Sequence, residues 1–148
     1  MIIPLKYGLL VTLGAIAWVV VAHLLVPDPR SAVHSLGAGF FFNILHIAGI
    51  YLAITSARNE AGGELNFKKC LKTGIATALV FALTFCLFFA VAIFVVGAKL
   101  MASEPGAEAL PLWQVALGAF LGLGLGTMVF GLIYSTLISF FLAKRSGA

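Results

Sequence analysis

Four long apolar stretches separated by short polar segments make up most of this sequence. They run from about 7 to 26, 35 to 56, 71 to 96 and 113 to 142, and none of the five prolines falls inside them. A helix needs roughly 20 apolar residues to cross a hydrocarbon core of about 30 Å, so each stretch is long enough to span a membrane. The pattern predicts an all-α integral membrane four-helix bundle that forms one transmembrane domain over residues 1–148.

The connections between the stretches predict how the helices are arranged. About eight residues follow the first stretch, and about fifteen follow each of the next two. Connections this short leave room for no soluble domain, and they bring consecutive helices side by side. We therefore expect an antiparallel, up-down topology.

Basic residues predict the direction in which the chain crosses the membrane. In a four-span arrangement, seven of the nine lie on one side: Lys6, Arg58, Lys68, Lys69, Lys72, Lys144 and Arg145. Only Arg30 and Lys99 lie on the other side. Because positive charge is retained in the cytoplasm during insertion, we expect a multi-pass protein of the bacterial inner membrane with both termini cytoplasmic. The basic cluster around the second connection is expected to contact anionic lipid headgroups.

Composition narrows the class of protein. Hydrophobic residues make up 62% of the chain and charged residues only 9%, too few charges to cover a water-soluble surface or a nucleic-acid interface. No Asp, Glu, Lys or Arg lies in the interior of a span, away from its ends, which argues against a proton relay, a coupled transporter or a voltage sensor. The loops hold no catalytic motif and no zinc-ligand pair, so we expect neither an enzyme nor a metal site.

Five polar side chains are predicted to lie near the bilayer midplane: Asn43, His46, Thr84, Cys86 and Thr127. Asn43 and His46 are three residues apart and so share one face of the second helix. The interpretation we favour is hydrogen bonding between helices, with no cofactor. The alternative is that His46 serves as an axial ligand to a haem, a chlorophyll or a metal ion.

Three glycines recur every four residues on the fourth span, at Gly118, Gly122 and Gly126. Without Cβ atoms they form a flat strip on which another backbone can approach closely. Two interpretations of this strip stay open. In the first, the strip packs inside the bundle. In the second, it docks against another protein, a flat pigment or a lipid.

The connection between the second and third spans resembles that of a known family. A helix ends in a charged turn, and Gly-Gly-x-Leu-Asn-Phe-x-x-Cys-x-x-x-Gly follows from Gly62 to Gly74; the opening Lys6-Tyr7-Gly8 is similar too. Both resemble small bacterial four-helix membrane proteins grouped as a domain of unknown function. Members of that family more often carry Ser or Thr at the position of Asn66, and Ala at that of Cys70. The resemblance implies four spans with both ends inside, and it carries no activity or functional residue.

Several features of the sequence bear on the function of the protein. The glycine strip, the many phenylalanines and the absence of ionisable residues in the spans favour a non-catalytic accessory subunit of a larger membrane complex, for instance a respiratory or photosynthetic one. Its expected partners are the lipid bilayer and other membrane subunits. The alternatives are a small oligomeric transporter or channel, and a pigment- or haem-binding protein that uses His46.

Overall fold

The computed structural model describes residues 2–26, 32–97 and 110–143. These residues form four helices, and no strand occurs among them: α1 (Ile2–Leu25), α2 (Ala32–Glu60), α3 (Phe67–Val96) and α4 (Leu112–Leu142). Each helix is long and apolar enough to cross a membrane. The predicted all-α class with four membrane-spanning helices is confirmed.

The helices extend beyond the apolar stretches that predicted them, mostly at their starts. α1 begins at Ile2 rather than near residue 7, and α3 begins at Phe67 rather than near residue 71. At its C-terminal end, α2 continues past Arg58 to Glu60. An apolar stretch measures only the part of a helix that lies in hydrocarbon, whereas helical hydrogen bonding continues into the headgroup region.

The turn between α2 and α3 has the local structure that its residues predict. Gly62 and Gly63 have φ angles of +81° and +92°, which non-glycine residues rarely adopt. The Asn66 side chain caps α3 by accepting a hydrogen bond from the Lys69 backbone N–H at 2.9 Å. The Arg58 Nε donates to the Gly63 carbonyl at 2.6 Å, which joins the end of α2 to the turn.

Two contacts show that α1 and α2 run in opposite directions. Near the start of α1, the Tyr7 hydroxyl lies 2.7 Å from the Ser56 Oγ near the end of α2. Further along α1, Trp18 stacks on Phe41, which lies earlier in α2. Helices α2 and α3 each pack against all three other helices, and the contact between α3 and α4 is the most extensive.

The five basic residues that the structure describes lie at one end of the bundle. The Tyr7–Ser56 contact brings the start of α1, with Lys6, to the end of α2, with Arg58. The short turn then places the start of α3 at the same end, with Lys68, Lys69 and Lys72. Lys144 and Arg145, like Arg30 and Lys99, lie outside the described residues.

Candidate functional site

Small residues on both helices form the interface between α3 and α4. On α4, the residues Gly131, Ser135 and Ser139 are buried. A Cβ atom built on Gly131 would lie 2.5 Å from the Ala78 Cβ, and one built on Gly74 would lie 2.8 Å from the Ser135 Cβ. The glycine backbone of each helix therefore packs directly on a small side chain of the other, and such close approach is how membrane helices gain van der Waals contact.

The predicted strip of Gly118, Gly122 and Gly126 lies away from this interface. A Cβ atom built on any of the three would meet no heavy atom within 4 Å among the described residues. Gly118 and Gly122 are exposed, and Gly126 is half-buried. Of the two interpretations of the strip, packing inside the bundle thus has no contact to support it in the described structure.

Large apolar side chains surround the strip on the outer face of α4. Leu121, Leu125 and Ile133 are each about half exposed or more, and no charged residue lies between Leu112 and Leu142. Of the four candidate spans, α4 has the smallest buried share. This surface, defined by the three glycines and their exposed apolar neighbours, is called the outer face of α4 below.

Asn43 links α2 to α4 near the middle of the bundle. Its Oδ1 accepts a short hydrogen bond from the Tyr134 hydroxyl, and its Nδ2 donates to the Gly39 carbonyl at 2.7 Å. Both polar atoms of the amide group are thereby satisfied inside an apolar surrounding, where an unpaired group would be costly. This contact is of the interhelical kind expected for Asn43.

His46 is buried beside this link, with only 4% of its surface exposed. Its ring centroid lies 5.0 Å from that of Phe81 and 5.7 Å from that of Tyr134, both in edge-to-face arrangements. The Nε2 atom has no hydrogen-bond partner. A Cβ atom on Gly131 would lie 3.2 Å from both Nε2 and Cε1, so this edge of the imidazole abuts the α4 backbone.

Two of the remaining midplane residues lie on helix–helix contacts other than that of His46. The Thr84 Oγ1 lies 2.5 Å from the Thr12 Oγ1, which connects α3 to α1. The Cys86 thiol donates to the Phe120 carbonyl at 3.7 Å, between α3 and α4. Thr127 is half-buried on α4. Thr84 and Cys86 are therefore separate from the contact that Asn43 and His46 share with Tyr134.

Comparison with known proteins identifies a family. The model of the family described as "Protein of unknown function (DUF4199)" matches residues 6–104, about two thirds of the chain. The chain belongs to this family. The match includes most of α1 and all of α2 and α3, and it ends before α4. No curated protein and no solved structure matches. The expected resemblance to an uncharacterised family is confirmed.

Several residues that build this DUF4199 bundle were not identified by the sequence analysis. Tyr134 makes the hydrogen bond across to Asn43, and Ser135 and Ser139 are fully buried with hydroxyls that have no partner. The sequence does contain a pattern that marks the two serines, because Gly131, Ser135 and Ser139 are small residues spaced four apart. Gly118, Gly122 and Gly126 have the same spacing. A search for small residues of any type, rather than for glycine alone, would have found this second row.

The basic cluster of the DUF4199 chain divides into a structural and an exposed part. Arg58 is half-buried and is held by its bond to the Gly63 carbonyl. Lys68, Lys69 and Lys72 are exposed in the first turns of α3. Lysines at the start of a helix oppose its dipole, so helix stability alone does not account for them there.

Proposed function

We propose that this chain is a non-catalytic accessory subunit of a larger membrane complex, and that it contacts its partner through the outer face of α4. The observation that carries the proposal is the position of Gly118, Gly122 and Gly126. The bundle uses a different row of small residues for its own packing, which leaves this row open on the outside.

Energetic reasoning supports a partner for the open row. Each glycine in a helix interior is less favourable than alanine by about 1 kcal/mol, and lipid tails gain nothing specific from the missing Cβ atoms. A neighbouring helix does gain, because glycines at this spacing let the two backbones approach closely. Such a contact would offset the cost of three glycines on one face of α4.

The orientation of the chain is part of the same proposal. We propose that the bundle end carrying Lys6, Arg58 and the three α3 lysines faces the cytoplasm of a bacterial cell, with both termini on that side. Retention of positive charge during insertion supports this orientation. The sequence positions of Lys144 and Arg145, directly after α4, agree with it.

For His46 we propose a packing role without a cofactor. The imidazole edge that carries Nε2 faces the Gly131 position at 3.2 Å. A haem or chlorophyll whose central metal ion was bound to that nitrogen would have to lie where the α4 backbone lies, so the arrangement does not fit such a group. The flanking rings of Phe81 and Tyr134 support a packed side chain.

The proposal is tested by purifying the tagged full-length chain from its native membranes in a mild detergent and identifying the co-purifying proteins by mass spectrometry. We expect a reproducible set of membrane subunits with the unaltered chain and its loss with Gly122→Leu. The matched control is Gly39→Leu, since a Cβ atom at Gly39 also meets no described residue within 4 Å; this variant should keep the set.

Three results would overturn the proposal. The first is a lone monomer from native membranes, and the second is a set of proteins that Gly122→Leu leaves intact. The third is an assembly that contains only copies of this chain, which would favour the oligomeric transporter or channel instead.

A further inference from the structure

A continuous apolar groove runs between α3 and α4 on the surface of the bundle. Two adjoining hollows of about 170 Å³ and 220 Å³ form it, and Leu125 and Met128 line both of them. On α3 the groove extends from Ile75 at one end to Cys86 at the other. Its lining side chains are aliphatic or aromatic or contain sulfur, with Gly124 at its floor, so it has no group that would hold a polar ligand.

The length of the groove matches one half of a bilayer. Ile75 and Cys86 are eleven residues apart, which corresponds to about 16 Å along a helix. One leaflet of a hydrocarbon core of about 30 Å is about 15 Å thick. The groove is therefore about as long as one acyl chain of a lipid in the leaflet on the side of the lysines.

Two lysines lie at the open end of the groove on the same face of α3. Lys68 and Lys72 precede Ile75 by seven and three residues, which are helical spacings for one face. Both are exposed. Lys69 is equally exposed, but it lies about 100° around the helix from Lys68. Positive charge thus lies where the phosphate of a lipid would be if its chain filled the groove.

We propose that this groove is a binding site for one anionic phospholipid, with an acyl chain between α3 and α4 and the phosphate held by Lys68 and Lys72. The site refines the general expectation that the basic cluster touches headgroups, since it names two lysines, one leaflet and one groove. It rests on observations separate from the glycine strip, which lies outside the groove lining. Basic pockets between transmembrane helices are known to bind acidic headgroups.

The headgroup part of the site is tested by native mass spectrometry of the purified full chain, titrated with phosphatidylglycerol or with phosphatidylcholine of the same acyl chains. We expect one phosphatidylglycerol to be retained in preference to phosphatidylcholine. Each lysine near an anionic surface contributes about a factor of five in affinity, so Lys68→Gln with Lys72→Gln should weaken binding about 25-fold. The control Lys6→Gln with Lys69→Gln removes the same charge and should weaken it much less.

The acyl-chain part is tested by Gly124→Leu. A Cβ atom there would lie 3.4 Å from the Cys86 Sγ, an ordinary contact, and Gly124 lines the groove, so we expect the leucine side chain to occupy it. We expect loss of the retained phosphatidylglycerol, whereas Gly39→Leu should keep it. Equal retention of both lipids, an equal effect of the two lysine pairs, or full retention by Gly124→Leu would overturn the proposal. Leu121 and Leu125 belong both to the groove and to the outer face of α4, but these experiments use the purified chain without a partner, so their failure is distinguishable from a failure of the co-purification test.

Discussion

Gly131 of α4 lies directly against Ala78 of α3, so closely that a Cβ atom on the glycine would be 2.5 Å from the alanine Cβ. The same Cβ atom would also be 3.2 Å from the His46 imidazole on α2. This single position therefore brings three helices together. The absence of a side chain at residue 131 determines how closely α4 approaches α3 and α2.

Gly131→Ala should destabilise the bundle. The added methyl group has no space beside Ala78, and overpacking of this kind costs about 1–3 kcal/mol. The measurement is the free energy of unfolding of the purified chain in mixed micelles, followed by circular dichroism. Gly122→Ala is the control, because its Cβ atom meets open space; stability should be unchanged or raised by the better helix propensity of alanine. Equal destabilisation by both variants would contradict the described packing.

Gly74→Ala should also destabilise the bundle, and Ser135→Gly should partly rescue it. A Cβ atom on Gly74 would lie 2.7 Å from the Ser135 Oγ and 2.8 Å from the Ser135 Cβ. Removing the serine side chain frees that space, although the Ile50 Cγ2 at 3.3 Å remains. A double-mutant cycle on unfolding free energies should give a coupling of about 0.5–3 kcal/mol. Strict additivity would mean that the two residues are not in contact.

Tyr134→Phe removes the donor of the hydrogen bond to Asn43 and should lower stability modestly. Hydrogen bonds between membrane helices average about 0.6 kcal/mol and reach about 1.7 kcal/mol. The loss should disappear when Tyr134→Phe is made in an Asn43→Leu background, because the acceptor is then gone. If Tyr134→Phe has the same effect in both backgrounds, this bond does not contribute to stability.

His46→Leu should leave the bundle folded and no less stable. The imidazole Nε2 is buried without a partner, and replacing an unpaired buried polar group by an apolar group of similar size is near neutral or stabilising. The absorption spectrum of protein purified from native membranes provides a second readout. We expect no visible band in either protein; a band that vanishes in the variant would show that His46 does hold a pigment or haem.

The sequence predicted the spans well, because lipid imposes a simple requirement on length and polarity. The four apolar stretches each became a helix, and Asn66, Gly62 and Gly63 adopt the cap and the positive-φ conformations that their residue types favour. These features depend on local chemistry alone. A capping side chain and a glycine with positive φ are recognisable without knowledge of the neighbouring helices.

Which face of each helix points inward was much harder to predict. In a soluble bundle the inward face is the apolar one, but in a membrane both faces are apolar and the pattern loses this information. Gly131 and Gly122 look alike in the sequence, yet one contacts Ala78 and the other contacts nothing in the described structure. Likewise, Thr84 was grouped with His46 by depth alone, whereas the structure pairs it with Thr12.

The most direct test of the central claim, that the outer face of α4 meets another membrane protein, is site-specific photocrosslinking in intact native cells. A photoreactive residue is placed at Ile133, which lies seven residues after Gly126 on the same face and is 46% exposed. The matched control is Leu13 of α1, which is 62% exposed. We expect one discrete adduct with a different membrane protein from position 133, weakened by Gly122→Leu, and none from position 13. If position 133 gives no protein adduct, or the same adducts as position 13, the outer face of α4 has no specific protein partner and the central claim is wrong.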